Sequence, residues 1–408
     1  MNNKYLGIIM AAQELLHSYL SQECPLVHNY RLNAIMDVAY GLQQSKNLSL
    51  TAMGRKINTQ TNVKNKIKKV DRLEGNKHLH NELEYLYSGL SKYVFTYLSH
   101  NTTDSMPIII DLCFIKDRYD IQMLSAEVAC KGRSIPLYRE VFAKGDLKNR
   151  AKQFLFNLSK FVPSSAKILV IMDAGFGEKW FKEIENNNWY WLSRIRQGKS
   201  IKLSKSDNWI SAKDVFANIG VRAKSYNDAS IMVTHDRKCR IITKKSSSIN
   251  TRKRPLKVIA SKYNYGNSAF SRAAKEPWIL ATNLPTKYDA TSIVIYYKKR
   301  MQIEESFRDL KSTQFGLGAR HVRTNCISRW AVKLLLAAVV QIIFWIIGII
   351  GHSKDFQRKF QANTVRNKKV FSYFYLGQLI IEHDMVKELD IKFNEVPQII
   401  NQELARQW

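Results

Sequence analysis

The chain of 408 residues is longer than one ordinary domain and can bury at least one sizeable core. Its 64 Lys and Arg against 34 Asp and Glu leave a formal charge of +30, which excludes an acidic surface and points to a polyanion: DNA, RNA or an anionic membrane. Aromatic residues, Asn and Gln interleave the basic ones, which favours nucleic acid over plain solvation. Five cysteines, Cys24, Cys113, Cys130, Cys239 and Cys326, stand without CxxC spacing, so neither a disulfide framework nor a zinc site is expected and a reducing cytoplasm fits best.

The N-terminus, MNNKYLGIIMAAQELL, has no basic leader or small-residue cleavage pattern and reads as helix. Residues 1–95 carry amphipathic helical runs such as LNAIMDVAYGLQQ and NELEYLYSGLSKYVFTYL. Within them, a helix from Leu50 to Ile57, a polar turn Asn58-Thr59-Gln60 and a basic helix from Thr61 to Val70 form a helix-turn-helix outline over 50–70. The second helix carries Lys64, Lys66 and Lys68, donors suited to DNA phosphates, although a lysine-rich solvated face explains the same pattern.

From Met106 the texture changes to strands: MPIIIDLCFI, YDIQMLSAEVA and SIPLYREVF. A helix from Lys148 to Phe161, the strand KILVIMDAGFG, a helix from Glu178 to Glu185 and the strand WYWLSRIR follow. A meander, then helix, strand, helix, strand describes an α/β mixed sheet of the ribonuclease-H type, its first part over 96–200. Residues 201–285 read as a β-rich insertion with strand candidates ASIMVTHDRKCRIIT, RPLKVIASKY and PWILATNL. The last helices of the catalytic domain are expected over 286–355, and a helical C-terminal region, a candidate for multimerisation, over 356–408. The apolar run Leu334 to Ile350 is read as a buried core helix, with a membrane span as the alternative.

In YYKKRMQIEESFRDLK, Tyr297, Arg300, Glu304, Arg308 and Lys311 fall on one helical stripe at about 100° per residue. Glu305 points away from it. Asp111 follows three isoleucines and Asp173 follows ILVIM, so each is expected at the end of a buried strand. An ionised carboxylate is costly there unless paired or metal-bound; a single one reads equally as a turn or cap residue. Asp111, Asp173 and Glu304 together supply hard oxygen ligands for two Mg²⁺ or Mn²⁺ ions acting on a phosphodiester. Gly175 and Gly177 beside Asp173 allow close backbone approach.

The spacing Tyr297, two residues, Arg300, three residues, Glu304, six residues, Lys311 resembles the Y-R-E-K signature of DDE transposases of bacterial insertion sequences, in the group that excises through DNA hairpins. The resemblance implies a ribonuclease-H-like domain with a β-strand insertion between the second and third acids. That agrees with the 62 residues from Asp111 to Asp173 and 131 from Asp173 to Glu304. It implies Asp111, Asp173 and Glu304 as the metal-binding catalytic triad, with Tyr297, Arg300 and Lys311 gripping phosphates at the element's end. Relatives often carry a tryptophan wedge after the signature Arg; here that position is Met301, and Trp278 is the candidate for stacking a flipped base, or else a core residue. Arg320, His321 and Arg323 form a basic cluster past the helix, read as a backbone contact or a solvated turn.

The resulting expectation is a cytoplasmic, nucleoid-associated bacterial enzyme that binds terminal inverted repeats as a homodimer on double-stranded DNA. It cleaves the ends through hairpins and joins them to target DNA, with no membrane partner. The alternatives are a metal-dependent DNA nuclease and a catalytically inert DNA-binding regulator of the same fold.

Overall fold

The computed structural model describes residues 7–98, 105–116, 121–145, 147–205, 207–245, 276–365, 368–389 and 393–405. Its contacts divide the chain into two compact units, Met1–Ile168 with Arg300–Trp408, and Leu169–Lys299.

The first unit is built on one helix. ISRWAVKLLLAAVVQIIFWIIGIIGHS is apolar on every side, and such a sequence must be surrounded. It forms α10 (Ile327–Ser353), long and apolar enough to cross a membrane by length and composition, yet its apolar window is wholly buried in protein. The short α11 (Gln357–Phe360) follows it, and helices α1 (Gly7–Glu23), α2 (Asn29–Ser45), α5 (Lys77–Leu98), α12 (Tyr373–Glu382) and α13 (Val396–Ala405) pack around α10, together with strand β3 (Ser134–Ala143). Helix α12 crosses so closely that a Cβ on Gly348 would overlap the Tyr373 carbonyl, and one on Gly377 the Phe344 carbonyl. The polar C-terminal helices thus turn apolar faces to α10, and Glu403 of α13 meets His352 within that core.

The helix-turn-helix outline becomes α3 (Leu50–Lys56) and α4 (Val63–Glu74), the second opening two residues later than expected because Asn62 caps it, its side chain accepting the Asn65 N–H at 2.9 Å. Gly41 and Gly54 let α2, α3 and α4 close on one another; a Cβ at Gly54 would lie 2.7 Å from the Ile67 Cα. The sheet of this unit is the antiparallel meander β3-β2-β1, with β1 (Met106–Lys116) and β2 (Ile121–Ala129). Helix α6 (Leu147–Phe161) follows it, and the Met106 N–H donates to the Lys167 carbonyl at 2.7 Å. Asp111 does not end β1: it sits in mid-strand opposite Ser125, because LCFIK continues the pairing to Ile121.

In the second unit the strand order is β4-β5-β10-β9-β8-β6-β7. Strands β4 (Ile168–Met172) and β5 (Tyr190–Ile195) are parallel, joined through α7 (Glu178–Asn186). The insertion adds β6 (Ser200–Lys202), β7 (Ile210–Ser211), β8 (Lys224–Ile231), β9 (Arg237–Lys244) and β10 (Trp278–Thr282), all antiparallel. ASIMVTHDRKCRIIT is not one strand but the two arms of a hairpin, turning where Met232 and Asp236 take positive φ. RPLKVIASKY lies outside the described residues. Buried Arg240 ties the hairpin to the segment entering α8 (Ala290–Lys298), donating to the carbonyls of Leu284, Pro285 and Tyr288.

Two predictions test this core. Gly348→Ala, which in a free helix would stabilise by about 0.5–1 kcal/mol, is expected to cost roughly 1–3 kcal/mol or more through overpacking, read as a lowered Tm. The second concerns pH. Lys131 Nζ lies 2.5 Å from His352 Nε2, and Glu403 2.6 Å from Nδ1. Burial first, then the Lys131 charge, hold this imidazole below its ordinary 6.5, against the opposing pull of Glu403, with Lys369 adding to the lowering. The unfolded chain therefore takes up this proton before the folded one does, and stability present above pH 6.5 is lost as pH falls below it. Urea midpoints at pH 7.5 and 5.5 are expected to drop, and to drop less in His352→Gln.

Candidate active site

The Tyr297–Lys311 stretch is not one continuous helix. It breaks at Lys299 and Arg300 into α8 and α9 (Met301–Lys311), because the Lys299 N–H turns back to Tyr296 and Tyr297 as a helix end. Helix α9 is fixed in the first unit by its inner stripe, Gln302, Ser306 and Asp309, at the i, i+4, i+7 spacing of one face. Gln302 accepts the Cys130 N–H at 2.7 Å, Ser306 accepts the Ser134 N–H at 3.1 Å, and Asp309 takes Arg133 at 2.5 Å. Burial raises the Asp309 carboxyl, with Arg133 opposing.

Under that stripe the β2–β3 hairpin holds a closed polar layer. Glu127 and Arg139, both fully buried, pair at 2.7 Å, and Ser125 and Ser134 donate to the same carboxylate at 2.7 and 2.6 Å. Ser134 and Ser306 hydroxyls meet at 3.0 Å, which links the layer to α9. Such a pair positions more than it stabilises, since desolvation offsets most of its attraction.

The outer stripe of α9 faces β1. Arg300 bonds Asp111 at 3.1 Å and pairs with Glu304, so one guanidinium is shared by two carboxylates. Met301 is exposed, its sulfur 3.7 Å from Arg300. Burial pushes up the Cys113 thiol, two residues on from Asp111, with the nearby Lys311 charge opposing. Glu305 turns aside to Arg133 at 3.7 Å and to Arg308 at 2.7 Å, which removes Arg308 from the stripe.

In the second unit Asp173 stands directly after β4, as expected. Its carboxylate accepts from Arg196 at 2.9 Å and its carbonyl from Ser193 at 3.3 Å, while a Cβ on Gly175 or Gly177 would meet nothing within 4 Å. Trp278, half-buried, meets buried Tyr297 edge to face, ring centroids 5.2 Å apart. The sequence reading missed Arg196; the basic RIR after a strand ending beside an acid was the available signal.

Arg320 and Arg323 are exposed, and so are Lys64 and Lys68, with Lys66 half-covered. Lys69, by contrast, pairs with Asp37. Among the described residues no group of three or more His, Cys, Asp and Glu side chains is arranged to hold a metal ion. The chemistry of the donors nonetheless suits one: Asp111 and Glu304 already direct hard oxygens to a single shared cation.

Removing one partner of the buried pair tests the positioning layer. Arg139→Met leaves Glu127 charged and unpaired, and is expected to cost about 3–5 kcal/mol in denaturant unfolding.

Residues 139–340 match the family described as the transposase DDE domain. The matched range contains Asp173, Trp278, Tyr297, Arg300, Glu304, Lys311, Arg320 and Arg323, and begins after Asp111 and after α4. No curated protein matches the chain. The match likens this segment to the DDE domain of transposases, a class of domain that generally uses divalent metal ions.

Proposed function

We propose that this chain is a cut-and-paste transposase of a bacterial insertion sequence, acting in the cytoplasm on the terminal inverted repeats of its own element. The observation that carries the reading is the Arg300 guanidinium shared by Asp111 and Glu304. It brings two of the three expected acids and one signature residue onto one centre of charge.

Asp111, Asp173 and Glu304 are assigned the divalent ions, and the catalytic domain the ribonuclease-H-like class. When bound, such ions supply Lewis-acid activation of water or a 3′-hydroxyl and stabilise the leaving oxygen. The chain's own residues do the rest. Lys311 offers a cationic donor to phosphate oxygens, and Arg300 would offer its planar fork to them once Asp111 and Glu304 hold the ions instead. Exposed Met301 is assigned the wedge at the flipped base, and half-buried Trp278 the stacking of that base. Lys64, Lys66 and Lys68 on α4, with Arg320 and Arg323, hold the duplex backbone. The hairpin route, joining to target and action as a homodimer belong to this reading through the Y-R-E-K spacing.

The test is incubation of the full chain with Mg²⁺ and linear DNA carrying the element's ends, wild type against Glu304→Gln, on a denaturing gel. Wild type is expected to give hairpin products, and the variant to bind equally yet cleave more than about 100-fold slower, beyond what loss of an outer-shell partner costs. Nicking without hairpins or joining would favour a nuclease. Binding without cleavage by either protein would leave a regulator.

A further inference from the structure

Outside the carboxylate centre, the first unit contains a cleft of about 550 Å³ where the entry to α3 meets the start of α10. Ser49 and Thr51 line one side; His321, Arg323 and Arg329 line another. The walls are tied together: the Leu48 N–H donates to the Leu317 carbonyl at 2.9 Å, and Lys333 Nζ to the Leu48 carbonyl at 2.9 Å. One carboxylate, Glu74 of α4, also reaches the cleft. It is buried and held by Lys333, with Arg329 3.6 Å away, so it is neutralised from within. Arg329 is also claimed from outside the cleft, by Asp71 at 2.8 Å, and burial lowers the Lys333 ammonium against the pull of Glu74, so the cation left over for a ligand is Arg323.

The donors fit an oxyanion. Ser49 makes no side-chain capping bond to α3, Thr51 is exposed, and Arg323 has no carboxylate partner among the described residues. The neighbouring start of α10 already favours negative charge: the Ser328 hydroxyl and the Arg329 N–H hold the Cys326 thiol below its ordinary range. The cleft is of a size that takes a drug-sized ligand, larger than one inorganic phosphate and suited to a phosphodiester with its sugars.

We propose that this cleft grips a backbone phosphate of bound duplex DNA, so that the helix-turn-helix and the segment following the signature helix clamp the same strand. The inference rests on the DNA-binding reading above and adds a site to it. Arg323 supplies the leading charge, and the hydroxyls of Ser49 and Thr51 orient the phosphate. This grip carries no base information and is therefore indifferent to sequence.

Full-length wild type, Arg323→Ala, Arg323→Lys and Thr51→Trp are titrated with duplex DNA over a series of KCl concentrations. Arg323→Ala is expected to weaken binding several-fold on every sequence and lower the salt slope by about 0.9. Arg323→Lys keeps most of that slope, while Thr51→Trp fills the cleft with its charges intact and loses affinity as Arg323→Ala does. Unchanged affinity and slope in Arg323→Ala and Thr51→Trp, with wild type binding normally, overturn the cleft and leave the transposase reading standing. Wild type that binds no duplex overturns both. Stabilisation of wild type by inorganic phosphate at constant ionic strength, lost in Arg323→Ala while DNA affinity stays unchanged, assigns the cleft to free phosphate and overturns the proposal.

Discussion

Two carboxylates that approach one point repel each other, and a cation standing between them offsets that repulsion. In the first unit that cation is Arg300, bonded to Asp111 in mid-β1 and to Glu304 one turn along α9. Everything beneath α9 serves to keep this arrangement in register. The inner stripe of Gln302, Ser306 and Asp309 reads the β2–β3 hairpin through directed hydrogen bonds, which fix rotation and height where apolar contacts would allow sliding. The hairpin can offer them because Glu127, Arg139, Ser125 and Ser134 bond one another out of water, with Nη1 of Arg139 left without a partner. Water is kept out because α10 and α5 lie against β3. A helix with a long apolar middle and a fully buried ion pair are therefore two halves of one device, the first supplying the dry surroundings that make the second rigid.

How much of this could be read beforehand follows the range of the forces involved. The meander, the parallel pair β4 and β5, and helices α3 and α4 are written in local periodicity and capping, and they stand within a few residues of their expected bounds. The break between α8 and α9 is a different matter. Both Lys299 and Arg300 keep helical dihedrals, so no glycine or proline marks the end. Likewise Asp111 was expected to close its strand, since a charge after three isoleucines reads as an edge. Its pairing with Ser125 and the guanidinium contributed by Arg300, 189 residues later, are what let an acid sit inside β1. Nonlocal compensation of that kind leaves no mark on the segment it rescues.

The site itself was legible as a set of residue types and illegible as a set of contacts. Spacing identified Arg300, Glu304 and Lys311 as one stripe, and they do share the side of α9 that meets β1. The second stripe of the same helix went unread, because serine and glutamine at helical spacing look like an ordinary solvated face until a hairpin is placed against them. The same ambiguity affected Arg196, which serves as counter-charge to Asp173 and resembles any surface arginine in the chain.

The distribution of the surplus positive charge separates two tasks. Inside, the chain uses mostly arginine, buried Lys333 apart: Arg139, Arg240, Arg237 and Arg300 each contact two or more acceptors, a geometry that the planar guanidinium meets with little further ordering. On α4 it uses lysine, where Lys64 and Lys68 are exposed at the end capped by Asn62. Strongly hydrated point charges on flexible stems suit contacts that must form anywhere along a regular polyanion, and their energy comes chiefly from counterion release. A fork already engaged by carboxylates contributes little to that term. The net charge of +30 therefore overstates what any one face offers to DNA, and the effective footprint is the smaller set of cations that no carboxylate has claimed.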